Sequence, residues 1–409
     1  MPPPHKPDFL VDLAVSEENL RVIWKEGGVH YIPSPRPFLP YTIHRGSVED
    51  LADRLRATLE ELVENSLSSE KPINRGNREQ FARRRDEILR TLAQHGNDLY
   101  SILFAPADGS IPKKEHIDKK ILPAIENSGE PLSICFLVPT KVSVPWGLLC
   151  DHATYRAVKS GAEVTPDTFW GMRHRISTVF GQASPKEFTA TYEHETFTMI
   201  WGADQQEFGR LRKGLSQYAD DENALNALLS HYGEPVFSSA ALESAWAEQE
   251  SRLGLMYILA HSDKRTISFS DNDEMDVLRF RIWATKKTAS PPRCLVFLNG
   301  CSTTGMHERG TFLEATGRDG FCGYIGAEAV VPKFFAFRFG IAFKMLFYSG
   351  LDVAEALATL QRRHWPLGLV YGLYGFPHVQ IEPHPALSTM IGENGNFSEG
   401  PLTVVDADE

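Results

Sequence analysis

Cysteine is scarce in this sequence: five residues in 409, at positions 135, 150, 294, 301 and 322, odd in number and widely spaced. Such a set does not build the disulfide framework of a small secreted domain, and a chain of this length can bury a core without one. No CxxC occurs and no HxxxH lies near Cys294 or Cys301, so zinc-ligand spacing is missing; no metal and no cofactor are expected. Basic residues are outnumbered, 42 Lys and Arg against 53 Asp and Glu, and the net charge of -11 leaves no general excess to neutralise phosphates. Nucleic acid is therefore not an expected direct partner. Long apolar runs are missing too, since no window approaches the roughly 18 residues of a membrane span. The N-terminus MPPPHKPDFLVDL has no basic segment followed by an apolar stretch, so the expectation is a soluble, cytoplasmic chain without membrane contact.

What is present is ordinary for a globular protein, 42% hydrophobic and 23% charged. FLVDLAV and NLRVIW, separated by SEE, predict an opening hairpin. After the Pro-rich YIPSPRPFLP, Val48, Leu51, Leu55, Leu59 and Leu62 share one helical face, with Ser47 as N-cap and Asp50 three residues on. The polar stretch 68–84 reads as a loop, followed by a helix from Arg78 to His95 that stops at Gly96. SICFLV, from residue 133, is a buried strand ending at a proline. Residues 153–187 give no clear assignment, and the boundary between two lobes is placed there.

From Thr191 onward the pattern is that of a parallel sheet. ETFTMIWGA is a strand, EFGRLRKGLSQY a helix, PVF a short strand, SAALESAWAEQESRL a helix and GLMYILAHSD a strand ending in His261. TISFSDNDEMDVLRF reads as a hairpin turning at DNDE, and RCLVFLNGC as a core strand ending in Cys301. FCGYIGA is a further strand. Pro332 opens a helix over KFFAFRFGIAFKMLFYSG, and Asp352 with Glu355 caps the next, VAEALATLQRRHW.

Two apolar strands thus each deliver one reactive residue at the C-terminal end, the edge where α/β sheets collect their chemistry. An imidazole beside a thiol takes its proton, holds the thiolate and later protonates a leaving amine. Gly300 gives the turn before the sulfur room, and the backbone N–H groups of Cys301 and Ser262 are candidate oxyanion donors. Each residue also has a plain reading, Cys301 as a small core residue and His261 as a strand-end histidine satisfied by a carbonyl, and pattern alone leaves both open. A serine-hydrolase elbow fits poorly, because Asn299 and Thr303 flank Cys301 and Gly300 and Thr304 flank Ser302. Asp271, Asp273, Glu274 and Asp276 lack EF-hand spacing and read as a solvated turn. The glycines of GRDGFCGYIG follow no phosphate-loop pattern.

The series LMYILAHSD, RCLVFLNGCSTTG, GFCGYIGAEAVVP, FKMLFYSGLDVAEALATLQ and VYGLYGFPHVQI resembles, in this order, the CHAT domain, a caspase-like clan CD cysteine peptidase module related to separases. DLYSILFAP and SVPWGLL resemble the stretch upstream, where the family has a "Pro, small, Trp or Phe, Leu" turn, so the likeness covers roughly Tyr100 to Ile381. It implies an α/β fold, a caspase-like sheet sandwiched by helices, with an N-terminal degenerate, pseudo-caspase-like lobe. The corresponding boundaries are 1–187 for that lobe, 188–385 for the catalytic lobe and 386–409 for an acidic tail. It further implies a cysteine endopeptidase with His261 as base and Cys301 as nucleophile, a polypeptide substrate, and an activating or sensor protein as partner, in settings such as bacterial antiviral defence or cell death. The family has Gly after the His, where this chain has Ser262, and Asp263 beside it is a candidate for a specificity pocket that takes a basic residue. A catalytically silent scaffold and a Cys-dependent small-molecule hydrolase are the alternatives.

Overall fold

The structure, a computed structural model, describes residues 8–16, 18–26, 41–68, 75–104, 122–126, 128–139, 142–180, 189–192, 198–248, 253–262, 265–285, 294–301, 303–304, 311–318 and 321–388. Its strands in chain order are β1 Phe9–Ser16, β2 Asn19–Glu26, β3 Tyr41–His44, β4 Ser133–Val138, β5 Arg175–Phe180, β6 Thr189–Tyr192, β7 Thr198–Ala203, β8 Leu253–Leu259, β9 His261–Ser262, β10 Thr266–Ser270, β11 Asp273–Asp276, β12 Leu295–Leu298, β13 Gly323–Ala327, β14 Tyr371–Gly375 and β15 His378–Ile381. Ten of them form one sheet in the order β3-β2-β1-β4-β5-β14-β13-β12-β8-β7. β7, β8, β12 and β13 are parallel neighbours, as are β14, β5, β4 and β1, and the two groups meet antiparallel at β13 and β14. The expected boundary at 187/188 lies outside the described residues. On either side of it, β5 and β7 belong to the same sheet.

Both faces of the sheet are covered, which explains why its central strands are continuously apolar rather than alternating. Leu255, Tyr257, Leu259, Leu295 and Phe297 point into one core, shared with the helix Lys333–Tyr348. Met256, Ile258, Val296 and Leu298 point into the other, against Leu242, Trp246, Phe280, Trp283 and Phe312 from shorter helices. The helix Lys333–Tyr348 is buried along its whole length after Lys333, as its all-round apolar sequence requires. Pro332 stands just before it as the N-cap, one position earlier than a first-turn proline. Two basic side chains lie within this core. Arg338 pairs with Asp221 at 2.5 Å and stacks on Tyr218 at 3.9 Å, whereas Lys344 Nζ sits 3.0 Å from the Trp201 ring centre and 4.0 Å from that of Tyr257.

The opening hairpin pairs from Phe9↔Glu26 to Ser16↔Asn19, as its alternation predicts. The first helix, Arg45–Ser68, buries Val48, Leu51, Leu55, Leu59 and Leu62 but begins two residues before Ser47, whose hydroxyl approaches His44 instead of capping. The second is far longer than its sequence suggests, Arg75–Phe104. Its early part is a polar surface helix with pairs such as Arg83–Glu79, so composition mimicked a loop. Gly96 does not end it: a Cβ there would lie 2.2 Å from the Leu148 carbonyl, so the glycine lets the helix lie against the Trp146–Leu148 turn. A helix over Ala219–Tyr232 is unannounced by the pattern, and PVF contributes only a bridge from Val236 to Gly202. The later hairpin turns at residues 271–272, and VLRF opens the helix Val277–Thr285. Asp352 caps Val353–Arg363 through the Glu355 N–H at 2.7 Å, as read from sequence.

Candidate active site

β8 and β12 are adjacent and parallel, with Leu255 opposite Leu295 and Ile258 opposite Leu298, so their C-terminal ends share one edge. β8 stops at Leu259, two residues short of the expected end. There the chain leaves the main sheet, and His261–Ser262 becomes the outer strand of a small antiparallel sheet with β10 and β11. This change of sheet leaves His261 exposed. On β12 the backbone stays tied one residue further, the Asn299 N–H donating to the Ile258 carbonyl at 2.8 Å. Gly300 and Cys301 follow.

His261, Gly300 and Cys301 line one cleft of about 600 Å³, open to solvent and bounded by the start of the helix Gln205–Gly214, the β10–β11 hairpin and Val331. Cys301 is half-buried, and its thiol donates toward the Val331 carbonyl at 3.8 Å. The other four cysteines are buried, and burial pushes the Cys135 and Cys150 thiols up to about 12. Cys301 is thus the one cysteine of the five whose sulfur a solute can approach.

The turn that carries it is held by a residue that sequence reading weighed only as a flank of Cys301. Asn299 is 1% exposed. Its Nδ2 donates to Tyr257 Oη at 2.9 Å and to the Ala336 carbonyl at 2.6 Å, while Oδ1 accepts from Tyr371 Oη at 2.6 Å. A satisfied amide at this position ties β8, β14 and the long helix together directly beneath Gly300. The signal was there in principle, a lone amide between a buried apolar strand and Gly-Cys.

Gly300 answers a packing need. A Cβ there would fall 2.0 Å from Ser262 Oγ and 2.8 Å from the Ala260 carbonyl. Ser262 is 3% exposed and its hydroxyl donates to the Cys301 carbonyl at 3.5 Å, so its side chain is turned under the Gly300-Cys301 turn and away from the cleft. Asp263 and Ser302 lie outside the described residues. Beyond them, the loop after Cys301 is anchored: Thr303 Oγ1 accepts from the Ala327 N–H at 2.8 Å, and the Thr304 N–H and Oγ1 both donate to the Ala327 carbonyl, at 3.1 and 3.0 Å.

The walls of the cleft are acidic. Asp204, Glu207, Asp271 and Glu274 line it against Arg210 and Lys333. Both of those cations are engaged by Glu207, at 2.8 and 3.0 Å. Burial pushes the Glu207 carboxyl up, but these charged donors outweigh it and hold the group below its usual range. The acidic run read as a solvated turn is therefore divided. Asp271 and Glu274 face the cleft, while Asp273 accepts from the Ser239 N–H and Asp276 from the Arg279 N–H. Among the described residues no group of His, Cys, Asp and Glu is placed to hold a metal ion, and no helix is long and apolar enough to cross a membrane.

A thiol and an imidazole on neighbouring strand ends, opening on one cleft, are the parts that acyl transfer through a thioester requires. No family model matches the chain, and no curated protein does. Among solved structures, two of the Saccharomyces cerevisiae separase–securin complex match it with TM-scores of 0.52 and 0.50, each at 12% identity. Each match covers 91% of this chain and 30% of the other, so this chain spans less than a third of the length of those it resembles. The likeness establishes the fold, a mixed α/β arrangement with a large central sheet between helices, of the caspase-like kind seen in separase.

Proposed function

We propose that this chain is a cysteine endopeptidase, a caspase-like enzyme close to the CHAT group, with Cys301 as nucleophile and His261 as general base. The observation that carries the reading is the convergence of the two strand ends, which brings both residues to one solvent-open cleft on a fold shared with separase. In the reaction, the Cys301 sulfur turns from the Val331 carbonyl and gives its proton to His261. The thiolate then attacks the carbonyl carbon of the scissile peptide bond. The developing oxyanion is met by the backbone N–H of Cys301 and of Ser262. His261 passes its proton to the leaving amine, and water, deprotonated by the same imidazole, opens the thioester.

The acidic cleft favours a basic residue on the substrate, and Asp263, two residues after His261 in the chain, is a further candidate for that specificity. A protein partner completes the reading, holding the enzyme inactive or releasing it, in line with the resemblance to CHAT proteases and with the securin bound to separase in the solved complexes. The bacterial defence setting rests on the resemblance alone, and the cytoplasmic location on composition, chiefly the few and widely spaced cysteines.

The test is incubation of the wild type and Cys301→Ala with a peptide pool, with and without candidate partners, followed by sequencing of the cuts. Cleavage that disappears in Cys301→Ala, and falls at least about 10²-fold in His261→Ala, is expected. Failure to find any Cys301-dependent cut under all activating conditions would leave the fold as a binding scaffold.

A further inference from the structure

Behind the nucleophile loop lies a buried polar network that the dyad does not use. Arg56, on the first helix, is 6% exposed, and its Nε donates to Glu328 Oε2 at 2.9 Å. Glu328 directly follows β13, is 3% exposed and accepts from the Tyr374 hydroxyl as well. The Arg56 Nη2 turns the other way and donates to the Ser143 carbonyl at 3.2 Å and to its Oγ at 3.0 Å. Ser143 is 1% exposed, and its hydroxyl donates in turn to the carbonyl of Thr304 at 3.1 Å.

A buried ion pair is a poor device for stability, because desolvating two charges consumes most of the attraction between them. Apolar packing of the same volume would serve the fold as well. What apolar packing could not supply is a directed donor to a backbone carbonyl, and the network ends on one, in the residue three positions after Cys301. Thr304 is held on its other side by β13. The loop is thus clamped between the strand that precedes Glu328 and the N-terminal half of the chain.

We infer that Ser143 and Arg56 are positioning residues for the nucleophile loop, so that the N-terminal half, which brings neither His261 nor Cys301, sets where the Cys301 sulfur stands. This rests on the reading of Cys301 as nucleophile, but its test does not depend on a substrate. With the other four cysteines buried, iodoacetamide alkylation of the native full-length chain, followed by mass spectrometry, reports on Cys301 alone.

In Ser143→Ala the clamp is released while the fold remains, and Cys301 is expected to alkylate at least about threefold faster at a stoichiometry of one, as the half-buried thiol gains exposure. Turnover moves the opposite way, kcat falling about tenfold with KM changed by less than about twofold, because the loop is misplaced while substrate contacts persist. Arg56→Lys, which keeps a charge opposite Glu328 but lacks the second nitrogen that reaches Ser143, shifts both readouts in the same directions. Ser143→Thr, which retains the hydroxyl, returns them toward wild type. Alkylation of Cys301 at the wild-type rate in both Ser143→Ala and Arg56→Lys overturns the inference, as does exposure of all five thiols, which would make the network a support of the fold alone. If the wild type cleaves no peptide, the proposed function fails, and the alkylation rates still decide the positioning role.

Discussion

At the scale of single residues, the turn Asn299-Gly300-Cys301 shows how little freedom surrounds the sulfur. Asn299 is bonded on both sides of its amide, and Gly300 has Ser262 Oγ where a Cβ would go. Gly300→Ala is therefore expected to lower peptidase activity by at least about tenfold by displacing Cys301. In a Ser262→Gly background the loss is partly recovered, because the clash with Ser262 Oγ is gone while the Ala260 carbonyl, 2.8 Å away, still opposes the Cβ. A double-mutant cycle in kcat/KM measures this coupling, and additive effects would show that the two side chains do not meet. The sequence offered both residues as candidates, Gly300 for freedom of the turn and Ser262 for its N–H. What it could not show is that the serine fills the space the glycine leaves, because that contact joins two strands whose pairing is a tertiary fact.

At the scale of elements, the helix Lys333–Tyr348 carries an amine into the core without a hydrogen-bond acceptor. Lys344 is fully buried, its Nζ has no hydrogen-bond partner among the described residues, and burial holds its pKa well below the usual lysine range. The folded state therefore releases a proton that the unfolded chain keeps until its ordinary lysine pKa. Stability from this group rises with pH through that window and falls as pH drops toward the folded value. Lys344→Met removes the linkage. The variant is expected to be the more stable at pH 7, with its advantage narrowing as pH rises toward 10, by at most about 1.4 kcal/mol per pH unit. Denaturant melts of both proteins across that range check it, and parallel pH profiles would show that Lys344 stays protonated in the fold. The apolar pattern made this helix easy to place, while the lengths of others were not. Gly96 reads as a stop unless one knows that Leu148 packs against it, and a polar helix face such as 75–84 has the composition of a loop.

At the scale of the whole molecule, β5 from the first half of the chain lies beside β14 from its end, so ten strands form one sheet whose two parallel groups run in opposite directions. Expressing 188–409 alone would strip β14 of that neighbour and bare the Leu367–Val370 turn, against which the first helix packs. Such a fragment is expected to aggregate, and recovery of a monomeric fragment with a cooperative melt would show that the later half folds by itself. Much was legible in advance. The continuous apolar runs of β4, β8, β12 and β13 demanded a sheet covered on both faces, and their polar ends marked where His261 and Cys301 emerge. Composition by itself set the limits, with too few cysteines for a disulfide scaffold and too little positive charge for a general nucleic-acid face. Only the tertiary structure decided which strands are neighbours, that His261 leaves the main sheet to face the cleft, and that Arg56 and Ser143 reach the loop after Cys301. The reason is physical: periodicity encodes which face of an element is buried, a local property, whereas partners across a sheet are chosen by packing among residues far apart in the chain, as with Thr178 and Tyr374.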